Sequence, residues 1–210
     1  ICADPNQGFL RSRLSWKSVG LDVTGRTKKL RRSYRTTRAI LQAANGVLDT
    51  LGRVDGEDYL APDFSAMAAG APPLLVYTDS PQDAMDRVVN EVAEIAAADR
   101  ASLGEVLVIY GDHTAKASLY SGLCRRLGAG SVWWFNEKQQ KRQPPQGYGP
   151  DYLRMAYLDT ATGLEARVVF LLGIEALWLG GAGMELAQEQ QAQRREDDTR
   201  RLYMAMTRAK

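Results

Sequence analysis

Cysteine and histidine are almost missing from this chain of 210 residues, which holds only Cys2, Cys124 and His113. So few thiols make no disulfide framework, and no Cys/His spacing resembles a zinc site, so no metal ligand is assigned. The two cysteines fit a reducing compartment, and a cytoplasmic protein is expected. No apolar run reaches the ~20 residues that a spanning helix needs, and the first residues lack a basic-then-apolar leader pattern. No membrane partner is therefore expected. An excess of charge is absent too: 27 Lys and Arg against 25 Asp and Glu leave a formal net charge of +2. A nucleic-acid binder needs clustered basic charge, which this total does not reveal. Finally, no Gly-x-x-x-x-Gly-Lys-[Ser/Thr] occurs, so nothing here cradles the α- and β-phosphates of a nucleotide.

What is present reads as an α/β domain. A hydrophobic share of 45% with 25% charged residues suits a chain long enough to bury a sizeable core. Apolar residues at Ile40, Leu41, Ala44, Val47, Leu48 and Leu51 predict a helix over about Thr36 to Leu51, stopped by Gly52. Leu74 to Thr78 has strand composition, and Ser80-Pro81 is a helix start leading to Met85, Val88, Val89, Val92 and Ile95. The unit repeats: Val106 to Tyr110 is an apolar strand, followed by a helix from about Thr114 to Leu127. Ser131 to Phe135, Met155 to Leu158 and Val168 to Leu172 are further strands, and a last helix begins near Glu196. Within Ser131 to Phe135 the two-residue period puts one of Trp133 and Trp134 inside and the other half-exposed. Strands alternating with helices predict a mainly parallel sheet with helices on both faces.

Four segments carry chemistry-bearing residues. Near the C-terminus, Arg200-Arg201-Leu202-Tyr203-Met204-Ala205-Met206-Thr207-Arg208-Ala209-Lys210 places Leu202, Ala205, Met206 and Ala209 on one helical face. On spacing alone that is a core-packing helix with solvated arginines. Asp159-Thr160-Ala161-Thr162-Gly163-Leu164-Glu165 precedes the strand at Val168, which any β-turn-β element would match. Ala3-Asp4-Pro5-Asn6-Gln7 is an ordinary turn when taken alone. Leu30-Arg31-Arg32-Ser33-Tyr34-Arg35-Thr36-Thr37 opens a helix behind a basic run that would usually be a solvated face.

Their order is more specific than any one of them. Together they resemble motifs III, IV, V and VI of the UvrD/Rep-like superfamily 1 DNA helicases, in the family's sequence and over nearly the whole chain. The resemblance implies the second of two RecA-like motor domains, of P-loop-NTPase type but without its own phosphate loop. Residues 1–29 would be the motif III loop and connector, and 30–210 the motor domain, with no large inserted regulatory domain. It implies ATP with Mg²⁺ bound mainly by an N-terminal motor domain, and both ends of this sequence read as cuts through a longer chain. Arg35 and Arg208 would face the γ-phosphate, where a guanidinium's permanent charge and fork of donors suit a transferring phosphoryl group. Gln7 would sense that phosphate, Tyr34 would pack on the adenine, and Glu165, turned by Gly163, would hold the ribose. Thr160 and Thr162 would reach DNA phosphates through their hydroxyls, with Arg13 and Trp16 as further contacts to single-stranded DNA or a junction.

The chain departs from the family pattern at Ala3, Ser12, Ser33 and Thr162, where glycine, an aromatic, asparagine and lysine are usual. Two expectations follow. The full-length parent is an ATP-dependent DNA helicase whose isolated second domain hydrolyses nothing. The alternative is a degenerate helicase-like docking module without ATPase activity.

Overall fold

A computed structural model of the chain describes residue 20 and residues 35–50, 62–112, 114–135, 151–179 and 188–210. In chain order these form α1 (Arg38–Asp49), α2 (Pro81–Ala97), β1 (Val106–Tyr110), α3 (Lys116–Leu127), β2 (Val132–Phe135), β3 (Leu153–Tyr157), β4 (Val168–Leu172), α4 (Glu175–Leu179) and α5 (Gln188–Met206). The four strands form one sheet in the order β2-β3-β1-β4, and every pairing is parallel. The expected α/β architecture is what the chain adopts.

The central strand explains its own composition. All five residues of β1 are buried. Val106, Val108 and Tyr110 pack with Met85, Val89 and Val92 of α2 and Leu119 and Leu123 of α3. Leu107 and Ile109 point to the opposite face, against Leu202 and Ala205 of α5 and Leu177 of α4. A strand covered on both sides has no polar alternate, hence the unbroken Val-Leu-Val-Ile-Tyr run. Helix α1 adds a third layer: Leu41, Ala44 and Leu48 bury themselves against Tyr203 of α5.

Local signals set the helix ends. Ser80 Oγ accepts the Asp83 amide at 3.1 Å while donating to the Asp83 carboxylate at 2.6 Å, with Pro81 in the first turn. Helix α3 ends at Gly128, whose φ of 99° lies in the left-handed region. Trp133 is buried and Trp134 half-buried, as the two-residue period requires, and the Trp134 indole donates to Tyr110 Oη at 2.8 Å.

Three expectations need correction. Leu74 to Thr78 forms no strand; Leu74 is 83% and Tyr77 87% exposed. Strand propensity records fitness for a half-buried pleated surface, and none of the described strands runs beside this segment. Because Leu74 and Leu75 touch little, a Leu74→Ser/Leu75→Ser double variant is expected to change stability by no more than ~0.5 kcal/mol. A loss of several kcal/mol in urea denaturation would mean that the segment is packed after all. Second, α5 begins at Gln188 rather than near Glu196. Third, the short helix α4 follows β4, where none was expected. Among the described residues, no helix is long and apolar enough to cross a membrane.

Candidate functional site

The residues after α5 run back against the loop that precedes β4. Ala166 and Ala209 form a parallel bridge, with the Ala166 amide donating to the Arg208 carbonyl and the Lys210 amide to the Ala166 carbonyl, both at 3.0 Å. The bridge sets Glu165 beside the chain of Arg208 and Lys210. The Lys210 ammonium lies 2.7 Å from Glu165 Oε1, and Arg35 Nε lies 2.9 Å from Glu165 Oε2. Arg35 stands just before α1, and the packing of α1 on Tyr203 brings it to this corner. Segments from the start, middle and end of the described chain thus meet at one carboxylate.

The electrostatics follow from that meeting. The Lys210 hydrogen bond, reinforced by the charges of Lys210, Arg35 and Arg208, holds the Glu165 carboxyl below the usual glutamate range against the opposing effect of desolvation. Glu165 is therefore ionised, and each of its oxygens keeps acceptor capacity. The turn that aims it depends on Gly163, whose φ of 83° favours glycine although a Cβ there would meet nothing within 4 Å. Arg154 of β3 holds the same loop from below, donating through Nη2 to the Glu165 carbonyl at 2.9 Å.

Arg208 is disposed differently from Arg35. Its residue is 2% exposed, and Nε donates to the Met204 carbonyl at 3.0 Å, which also accepts the Thr207 hydroxyl at 2.9 Å. The Arg35 side chain is half-exposed. To meet a ligand outside the domain, a side chain this buried must be uncovered or turn outward. Thr160 and Thr162 also face inward chemically: their hydroxyls donate to the carbonyls of Tyr157 (2.8 Å) and Asp159 (3.2 Å). A hydroxyl has one proton, and a phosphate accepts rather than donates, so neither threonine can serve a phosphate without rotating away.

Beside this corner lies a second charged cluster. Arg201 of α5 closes its fork on Asp159, with Nε to Oδ1 at 2.7 Å and Nη2 to Oδ2 at 3.1 Å. Its Nη1 reaches Asp198 at 3.2 Å and Nη2 the Tyr157 hydroxyl at 3.2 Å. That hydroxyl donates onward to Asp112 at 2.6 Å. Burial, the hydrogen bond to Asp112 and the two nearby carboxylates push the Tyr157 phenol up to about 12, against the opposing charge of Arg201. Desolvation raises Asp198 above the usual aspartate value despite its ion pair with Arg201. The arginines of α5 and the turn after it are thus not all solvated: Arg201 and Arg208 are held inside.

Gln7, Arg13, Trp16 and Tyr34 lie outside the described residues. Of the expected site residues, the structure gathers Arg35, Gly163, Glu165 and Arg208, with Thr160 and Thr162 in the adjoining turn. Lys210 was not among the expected residues, since its place beside Glu165 is created by the bridge after α5. Among the described residues no cluster of three His, Cys, Asp or Glu side chains could hold a metal ion. A shallow groove lined by Asp79, Asp83, Asp86, Glu91 and Glu94, with Arg87 among them, is acidic on balance and shares no residue with this corner. Its charge would repel phosphate. A scan against protein-family models gives no match, and a search of curated proteins gives none either.

Proposed function

We propose that this chain is the second motor domain of an ATP-dependent DNA helicase or translocase, completing a nucleotide site begun by another domain. The observation that carries the reading is the convergence of Arg35, Glu165 and Arg208, three residues from separate segments, on one rim of the parallel sheet domain. Three cations, Arg35, Arg208 and Lys210, surround a single carboxylate there. That surplus suits a polyphosphate, while an ionised Glu165 suits a ribose hydroxyl that must donate. The residues present therefore fit part of a nucleotide. They do not fit all of it: the chain contains no phosphate loop, so the cradle and the Mg²⁺ ligands belong to the partner domain.

In this reading Glu165 accepts from the ribose and so fixes the nucleotide against this domain. Arg35 stands ready at the rim. Arg208 swings from Met204 toward the charge that develops on the transferring phosphoryl group, a displacement that couples domain closure to catalysis. Arg208's inward rotamer also favours a second reading, a docking module that has kept the fold and lost the chemistry.

The test is ATP hydrolysis by the protein carrying both motor domains, with and without single-stranded DNA. DNA-stimulated turnover supports the motor. A folded, complete protein with no turnover supports the docking module instead.

A further inference from the structure

We propose that Arg201 is a positioning residue for Glu165: its fork on Asp159 fixes the upstream side of the loop whose downstream side is fixed by the Ala166–Ala209 bridge. The inference rests on the reading of Glu165 as a nucleotide contact, but its structural half can be tested without nucleotide.

The loop from Asp159 to Ala166 links two places where the α5 segment grips it. Downstream, the bridge at Ala166 and Ala209 joins it to the residues that follow the helix. Upstream, Arg201 joins Asp159 to the helix by two parallel hydrogen bonds. Between the grips stands Gly163, at a positive φ and with open space where a Cβ would stand, while Ala161 before it and Leu164 after it pack on the core shared with α5. The Arg154 bond holds the Glu165 carbonyl, the Thr160 and Thr162 hydroxyls close the turn on the Tyr157 and Asp159 carbonyls, and the Arg201 pair ties the Asp159 side chain to α5.

A guanidinium suits this task because its donors radiate in one plane. Arg201 directs them to Asp159, Asp198 and Tyr157 together, and Tyr157 is in turn braced on Asp112. An ammonium supplies the charge but no fixed fork, so it can neutralise Asp159 without setting its direction. The fork is partly enclosed: the side chains of Arg201 and Asp159 are 16% and 27% exposed, and that of Asp198 10%. Water therefore competes weakly for these bonds.

The experiment is a carbon-detected NMR titration of the Glu165 carboxyl in the 210-residue chain, assigned with Glu165→Gln. In the parent chain Glu165 is expected to titrate below the ordinary glutamate range. In Arg201→Lys and Asp159→Asn it is expected to move up toward that range as its cationic neighbours lose register. Arg194→Lys, which alters a more distant partner of Asp198 and leaves the Asp159 fork untouched, is expected to leave the midpoint in place. Folded Arg201→Lys and Asp159→Asn chains with an unmoved Glu165 would overturn the proposal. Should both variants fail to fold, Tyr157→Phe removes one brace and leaves both carboxylate pairs; a smaller shift in the same direction supports the proposal, and none refutes it. In the two-domain protein, Arg201→Lys is expected to raise the KM for ATP several-fold with less effect on kcat. A shifted Glu165 with an unchanged KM would leave the positioning intact and remove Glu165 from the nucleotide site.

Discussion

Replacing Arg208 by alanine in the two-domain protein is expected to lower kcat at saturating ATP by about 10³–10⁵, the range attached to arginines that face a transferring phosphoryl group. The effect is electrostatic. Charge develops on the phosphoryl oxygens in the transition state, and a guanidinium brought into the site by domain closure stabilises it without reorganising solvent. Arg35→Ala is expected to fall in the same direction. The structure makes the Arg208 variant a fair test, because the Met204 carbonyl keeps the Thr207 hydroxyl as a partner when Arg208 is gone. No orphaned acceptor is created there. Arg208→Lys retains charge but not the fork, and is expected to recover only a small part of the loss. A melting curve accompanies each variant, since Arg208 is also a buried side chain. Arg208→Ala with native-like melting and undiminished turnover would remove Arg208 from the chemistry and return it to the interior beside the end of α5.

The outcome bears on why Arg208 was legible and Arg201 was not. Both are arginines of one amphipathic stretch, and by spacing both belong to a polar face. A resemblance in motif singled out Arg208. Nothing in the local sequence shows that Arg201 faces Asp159 across 42 residues of chain, because that pairing is created by α5 packing over β3 and its following turn. Similarly, β1 could be read from its composition since burial on both faces leaves only apolar residues, and Ser80-Pro81 announced α2 by chemistry confined to one turn. The early turns of α5 could not be read from periodicity. Gln-Glu-Gln-Gln-Ala-Gln-Arg-Arg is polar all round, so its helicity rests on unbranched side chains that lose little rotamer freedom. Leu74 to Tyr77 failed in the opposite sense: the residue types suit a strand, but a strand exists only where a ladder partner does.

The largest stability effect is expected at a glycine that sequence pattern passes over. Gly111 follows β1 directly, and its amide donates to the Leu172 carbonyl at 2.8 Å, extending the β1–β4 ladder by one bond. A Cβ at Gly111 would collide with the backbone carbonyl oxygen of Gly173, and neither backbone can rotate away as a side chain would. Gly111→Ala must therefore part the ends of the two strands, at an expected cost of about 2–3 kcal/mol. Gly46 is the internal comparison. It lies inside α1, exposed, and a Cβ there would meet nothing within 4 Å. Alanine at that position removes the entropy cost of glycine in a helix, and Gly46→Ala is expected to stabilise by ~0.5–1 kcal/mol. Urea denaturation of both variants reads the opposite signs directly. The consequence also reaches the candidate site. Asp112, the next residue, accepts the Tyr157 hydroxyl that braces Arg201, so parting the strand ends at Gly111 withdraws that brace. Gly111→Ala with unaltered stability would show that the strand ends have slack, and the cluster around Arg201 would then lose one of its fixed walls.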